Sequence, residues 1–330
     1  MNRSSILRLA VLSLLTAVCL SLPVHAQPAV SMGNHADDPA ERHYRLGMTH
    51  ADEGKFDEAV KDLQRAILLR PEFAVAHNDL GYIHYKASRH EKAVVCYLKA
   101  IRIQSDYALA YNNLGMAYSA LGRYKEAIDA LNHAVSLHTG YAAAYYNLGS
   151  TYYKSGQSEE AVSAFKRSIL FEPGRPEVHY NLGVTYSELD RCEEAIESFR
   201  KALSLRPDWD VPHRSLGLAY HKLGRFSEAI GAYQQAVRRN KTDAEAFNNL
   251  GVAYASLGSL ESAIQSYQQA ITLRLGYAEA HYNLGVAYLS LNKRDEAIEQ
   301  YAMLKTTSPI IAQDLYRLIY RDSLLVLSLK

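Results

Sequence analysis

Eight glycines, Gly47, Gly81, Gly115, Gly149, Gly183, Gly217, Gly251 and Gly285, follow one another at intervals of 34 residues without an insertion or deletion. Leucine precedes each one, from Leu46 to Leu284, and alanine stands twelve residues after each, from Ala59 to Ala297. A period of this length predicts one supersecondary unit repeated in tandem. Such a unit is too short to bury a core by itself, so its neighbours must cover it, and the chain must fold as a stack.

Within one period the pattern is helical. Leucine and the residue three after the glycine (tyrosine in six copies, His50 and His84 in two) share one helical face. The small glycine and alanine allow two helices to approach closely. A turn between them is marked by Gly54, Gly122, Gly156, Gly224 and Gly258, with Ser88, Asp190 and Asn292 in the other copies. The second helix carries a large residue four after its alanine, from Leu63 to Tyr301. Pro71, Pro173, Pro207 and Pro309 end four of these second helices, because proline cannot continue the hydrogen-bond ladder.

This glycine, alanine and aromatic pattern resembles the tetratricopeptide repeat family over residues 40–311. The resemblance implies an all-α fold, a right-handed superhelical α-solenoid of tandem helix–turn–helix repeats. Its eight units are 40–73, 74–107, 108–141, 142–175, 176–209, 210–243, 244–277 and 278–311. First helices would line a concave groove and second helices would face outward. The family's tryptophan-like position, four before the glycine, holds His43, His77, Tyr111, Tyr145, His179, His213, Phe247 and His281.

Residues 1–26 stand outside the pattern. A basic start, a 14-residue apolar run and Val24-His25-Ala26 read as a signal peptide for export, with the mature protein in the periplasm or outside the cell. Residues 27–39 read as a flexible lead-in. Residues 312–330 read as a capping helix over the last repeat, with Leu315, Leu318 and Ile319 facing it. Of 36 basic residues, Arg3 and Arg8 leave with the signal, so 34 face 35 acidic ones. That balance lacks the basic footprint of a nucleic-acid binder. No second long apolar run predicts a transmembrane span in the mature chain. Cys96 and Cys192, nearly three repeats apart, read as unpaired thiols.

Catalytic chemistry has no visible carrier, so no enzyme activity and no cofactor are expected. The recurring histidines lie on different repeats, too far apart for metal–ligand bonds near ~2 Å, and no metal site is expected. His43 with His50, and His77 with His84, are seven residues apart on one helix. Glutamates of the second helices follow basic residues by three, as in Arg123 and Glu126, which is a surface pairing.

The asparagines are less easily explained. With the glycine counted as position 8, Asn113, Asn147, Asn181, Asn249 and Asn283 fall at position 6 of a first helix. Asparagine is a poor helix former, but its amide both donates and accepts. A row of amides facing a groove could pair with the backbone of an extended peptide. The row is similar to the asparagine ladder of the O-linked N-acetylglucosamine transferase repeat domain; Arg45, Asp79 and Ser215 depart from it. Position 5 adds Asn78, Asn112, Asn248, Tyr146, Tyr180 and Tyr282 to the candidate peptide-binding groove. Tyr153 and the lysines Lys154 and Lys222 complete it. The lysine clamp with which related repeats hold chaperone C termini is absent. The expected partner is therefore a protein or peptide held in extended form. The alternative is a structural assembly protein that uses its convex face and apolar C-terminal end for oligomerisation or envelope-complex assembly.

Overall fold

The computed structural model describes residues 38–320; the expected signal peptide and the terminal SLLVLSL run lie outside them. All 17 elements among the described residues are α-helices. Two compact units divide at Thr185/Tyr186.

In the first unit α1 (Pro39–Asp52) packs on α2 (Phe56–Leu69), and α3 (Ala74–Lys86) on α4 (His90–Ile103). Likewise α5 (Ala108–Ala120) packs on α6 (Tyr124–Leu137), and α7 (Ala142–Lys154) on α8 (Ser158–Phe171). The division falls within α9 (Pro176–Glu188). The second unit continues with α10 (Cys192–Leu205), and then α11 (Val211–Lys222) packs on α12 (Phe226–Arg239). Next come α13 (Ala244–Ser256) on α14 (Leu260–Leu273) and α15 (Ala278–Ser290) on α16 (Arg294–Thr307). The chain of helices closes with α17 (Pro309–Ile319).

The repeated glycine lets the two helices of a hairpin touch. A Cβ at Gly149 would stand 2.7 Å from the Phe165 ring, and one at Gly251 would stand 2.6 Å from the Tyr267 ring. The alanines twelve residues later are fully buried for the same reason. The turn between the helices requires a left-handed residue: Gly54, Gly122, Gly156, Gly224 and Gly258 take φ between 72° and 81°. Ser88, Asp190 and Asn292 adopt φ of 57° or 58° at the equivalent place, a conformation that costs an L-residue with a Cβ more than it costs glycine.

Successive first helices touch one another, α3 with α5 and α5 with α7 in one unit, α11 with α13 and α13 with α15 in the other. Successive second helices do not come as close. Each unit therefore has one continuous face of first helices and clefts between its second helices.

The closing helix begins at Pro309, three residues earlier than the sequence suggested, with proline at its first turn where no amide hydrogen is needed. Leu315 and Ile319 are buried as expected, but Leu318 is 41% exposed because it lies at the edge of the face that α17 buries. Leu315 occupies the space against Gly285 that the large second-helix residue fills elsewhere. Tyr301 instead stacks towards Tyr316, with ring centroids 5.5 Å apart.

Candidate peptide-binding face

The asparagines occupy the first-helix face, where they bond chiefly to one another. Asn113 Nδ2 donates to Asn78 Oδ1 at 3.1 Å, and Asn147 Nδ2 donates to Asn112 Oδ1 at 2.8 Å. Asn181 Nδ2 donates to the Tyr146 hydroxyl at 3.0 Å, and Asn283 Nδ2 to Asn248 Oδ1 at 3.0 Å. Each bond joins position 6 of one repeat to position 5 of the repeat before. The sequence expectation that these amides stand free above a groove is corrected to that extent.

Within a helix the same amides are linked sideways. Asn112 Nδ2 donates to Asn113 Oδ1 at 3.2 Å and Asn78 Nδ2 to Asp79 Oδ1 at 3.0 Å. Asp79 also accepts from the Tyr44 hydroxyl at 2.8 Å. A continuous chain thus runs from Asn147 through Asn112, Asn113 and Asn78 to Asp79. Both Asp79 oxygens accept, from Asn78 and from Tyr44, so the Asn78 amide turns its nitrogen to Asp79. The Asn78 carbonyl must then accept from Asn113, and the orientation of every amide up to Asn147 follows. Burial first, then the neighbouring carboxylate, raises the Tyr44 phenol well above the ordinary tyrosine range.

The second unit interrupts this row at Arg214, which stands where an amide or a phenol would precede Asn249. Its guanidinium pairs with Glu245 and lies 3.5 Å from Asp243. Asn249 meets Asn248 Nδ2 at 3.5 Å. Beyond the interruption the Asn283–Asn248 bond restores the pattern.

Several expected groove residues lie elsewhere. Tyr146, Tyr153 and Tyr180 are buried and offer little contact area. Tyr146 packs against Phe165 and beneath the Arg175 guanidinium, and burial raises its phenol pKa. Lys222 ties its helix to the preceding turn, donating to Ser187 O at 3.1 Å and Asp190 Oδ1 at 2.8 Å. Tyr282 is half-buried against the last hairpin, and Lys154 is exposed. The amides of Asn147, Asn249 and Asn283 remain half-buried, whereas Asn78, Asn112, Asn113, Asn181 and Asn248 are buried.

Three histidines of position 4 are held by backbone. His77 Nε2 donates to Pro71 O at 3.1 Å, His179 Nε2 to Pro173 O at 3.0 Å and His281 Nε2 to Leu275 O at 2.9 Å. His43 and His50 share one carboxylate, that of Asp62, a residue the sequence patterns gave no reason to single out. Among the described residues no three His, Cys, Asp or Glu side chains come together as metal ligands. Both Cys96 and Cys192 are buried and free. No described helix is long and apolar enough to cross a membrane.

Helical hairpins stacked in register, with a face of polar side chains on their first helices, define an α-helical repeat protein of the kind that presents an extended surface to partners. The chain belongs to the tetratricopeptide repeat family. Models of that repeat match residues 47–88, 72–139, 118–183, 176–208, 214–276 and 278–302. No curated protein matches the sequence. Among solved structures it is similar to YrrB, described as a TPR protein with an unusual peptide-binding site. That similarity has a TM-score of 0.52 at 23% identity, over 56% of this chain and 95% of that one. It is also similar to PilF of Pseudomonas aeruginosa, with a TM-score of 0.53 at 19% identity over 63% and 96% of the two chains. A tetratricopeptide repeat protein from Parabacteroides merdae gives a TM-score of 0.54 at 15% identity over 76% and 98%. At these identities the likeness is one of fold.

Proposed function

We propose that the protein is an exported adaptor that holds an extended segment of a partner protein against the first-helix face of a compact unit. The observation that carries this is the unspent capacity of the half-buried amides. An asparagine amide has two N–H donors and an oxygen with two lone pairs. Asn147 and Asn283 are half-buried and each give one N–H to the preceding repeat; the second N–H and the remaining lone pair are what the proposed grip uses. The amide chain fixes the orientation of Asn147 before a peptide arrives, which lowers the cost of ordering it on binding.

The amides alone make a weak grip. Within the second unit, two contacts from Asn249 and Asn283 at ~0.5–1.5 kcal/mol each, less the cost of association, stay short of micromolar affinity. Additional contacts come from the half-buried Tyr282 in that unit and from the exposed Lys154 in the first. A grip on backbone with a few side-chain contacts tolerates many sequences. Export rests on residues 1–26, and a mature N terminus at Gln27 is its direct check.

The test compares the wild-type protein with an Asn147→Ala, Asn249→Ala, Asn283→Ala variant as bait in extract of the source cells. These three are chosen because they are the half-buried amides, so the variant retains the buried links of the row. A partner captured by the wild type and lost by an equally folded variant supports the grip. Equal capture by both rejects it.

A second reading has its own observation. Ile310 is 78% exposed and Leu318 41% exposed on the closing helix. If the protein assembles with itself through that end, its mass in sedimentation will rise with concentration, and Ile310→Lys will abolish the rise. A mass that stays monomeric rejects this.

A further inference from the structure

The second repeat lacks a carboxylate that the first repeat contains. In the first, Asp62 bridges two histidines: its Oδ1 lies 3.3 Å from His43 Nδ1 and its Oδ2 lies 2.9 Å from His50 Nδ1. Thirty-four residues on, the same three positions hold His77, His84 and Cys96. Burial pushes the Cys96 thiol up to about 11, so it supplies no negative charge at neutral pH. His84 is only 6% exposed, and its Nδ1 has no hydrogen-bond partner.

A cleft of about 300 Å³ opens at this place, between the second helices α2 and α4 and over α3. His77, His84 and Cys96 line it together with apolar walls from Ile67, Leu80 and Val95. Lys92 and Lys99, both exposed side chains, complete it with Gln64. His84 stands here where six later repeats carry tyrosine. There, Tyr254 and Tyr288 accept hydrogen bonds from Gln234 and Gln268 of the preceding second helix, at 2.9 and 3.2 Å. Gln64 stands twenty residues before His84, as those glutamines do before their tyrosines, but the shorter imidazole makes no such bridge.

We propose that this cleft binds a small carboxylate with a compact apolar body. The ligand's carboxylate takes the place that Asp62 fills in the first repeat, and its body lies against Ile67, Leu80 and Val95. His84 donates to it from Nδ1. Lys92 and Lys99 supply the positive field, which charge-assisted bonds to a carboxylate exploit and which disfavours a metal cation at the same site. The volume is at the lower end for small-molecule sites.

His77 adds a proton linkage. Its Nε2–H is committed to Pro71 O, which leaves Nδ1 bare towards a ligand. Burial, opposed by the bond to Pro71 and aided by Lys99 and Arg102, lowers the His77 pKa, and burial with Lys92 and Arg89 lowers that of His84. An arriving carboxylate favours a proton on His77 Nδ1, so binding draws a proton from solvent. Affinity should therefore rise as pH falls from about 8 to about 6.

Calorimetric titration of the purified full-length protein with 3-phenylpropanoate, and with 3-phenylpropanamide as its uncharged counterpart, tests this. Cys96→Asp installs the first repeat's carboxylate, and His84→Tyr installs the tyrosine of later repeats. Both residues already occupy these positions in other units, and circular dichroism checks that the variants fold. Expected are binding of the carboxylate but not the amide, tighter binding at the lower pH, and a loss of roughly tenfold or more in each variant. Should either variant fail to fold, Lys92→Ser with Lys99→Ser at exposed positions is expected to give the same loss. No heat with the carboxylate, equal binding of the amide, or unchanged affinity in every folded variant would overturn the proposal.

Discussion

Asn113 reaches back 35 residues to donate its amide hydrogen to Asn78 Oδ1 at 3.1 Å, both side chains being buried. The bond crosses from one repeat to the one before, and Asn78 in turn donates to Asp79 Oδ1 at 3.0 Å. Removing either partner leaves the other's polar atom buried and unpaired. Asn113→Ala and Asn78→Ala should each cost about 1–3 kcal/mol. The double variant should cost less than their sum, with a coupling of at least about 0.5 kcal/mol in a urea-denaturation cycle. Additive costs would mean that the bond contributes nothing.

Glycine-to-alanine changes in a helix ordinarily stabilise by about 1 kcal/mol. At Gly149 the sign should reverse. The new Cβ would meet Phe165 Cδ1 at 2.7 Å, inside contact distance for two carbons, and the ring is fully buried with no room to withdraw. Gly149→Ala should destabilise by about 1–3 kcal/mol, read as a lower urea midpoint.

Ser88 offers the opposite case. Its φ of 57° is the conformation that glycine adopts in the same turn of five other repeats. Ser88→Gly should raise stability by about 0.5–1 kcal/mol in the same denaturation assay. Asp190 is a poorer choice for this test, because its carboxylate also accepts from Lys222.

Alkaline stability follows from the buried phenols. Burial pushes Tyr141 and Tyr277 up to about 12, and raises Tyr44, Tyr233 and Tyr267 further. A folded pKa above the unfolded value means that the contribution is fully present below about pH 10 and is lost as pH rises beyond it. Absorbance titration should show these tyrosines ionising later than the exposed ones and together with loss of helical circular dichroism. Ionisation of all tyrosines near pH 10 in a still-folded protein would contradict this.

The buried thiols give a simpler check. Burial raises both Cys96 and Cys192 above the ordinary thiol range. A thiol reagent at pH 8 should modify neither in the folded protein and both in denaturant, because the thiolate is the reactive form.

The hairpins were legible in the sequence because helix approach is a local matter. Glycine, alanine and leucine at fixed offsets report contacts within one repeat or with its immediate neighbour. The partners of the asparagines were not legible in the same way. Position 6 meets position 5 of the previous repeat, at a separation of 35 residues, and no property of Asn113 alone names Asn78. Lys222 illustrates the same limit: its position points it at the first-helix face, yet a carbonyl and a carboxylate at the end of the preceding hairpin draw it aside. Tyr146 reads equally well as a contact surface or as packing, and only the coordinates of Phe165 and Arg175 decide for packing. The closing helix was visible as an apolar periodicity, but its start at Pro309 was hidden by a proline that both stops α16 and begins α17.

The most direct measurement of the proposed grip is the affinity of a captured partner segment for the wild type and for Asn147→Ala, by calorimetry on samples with matching circular dichroism. Asn147 is half-buried, and its Nδ2 donates to Asn112 Oδ1 at 2.8 Å. Loss of one backbone contact should weaken binding by about two- to tenfold, and methylating the segment's backbone nitrogens should weaken it similarly. Equal affinities for the two proteins, together with indifference to N-methylation, would contradict a grip on the peptide backbone and leave the asparagines as ties between repeats only.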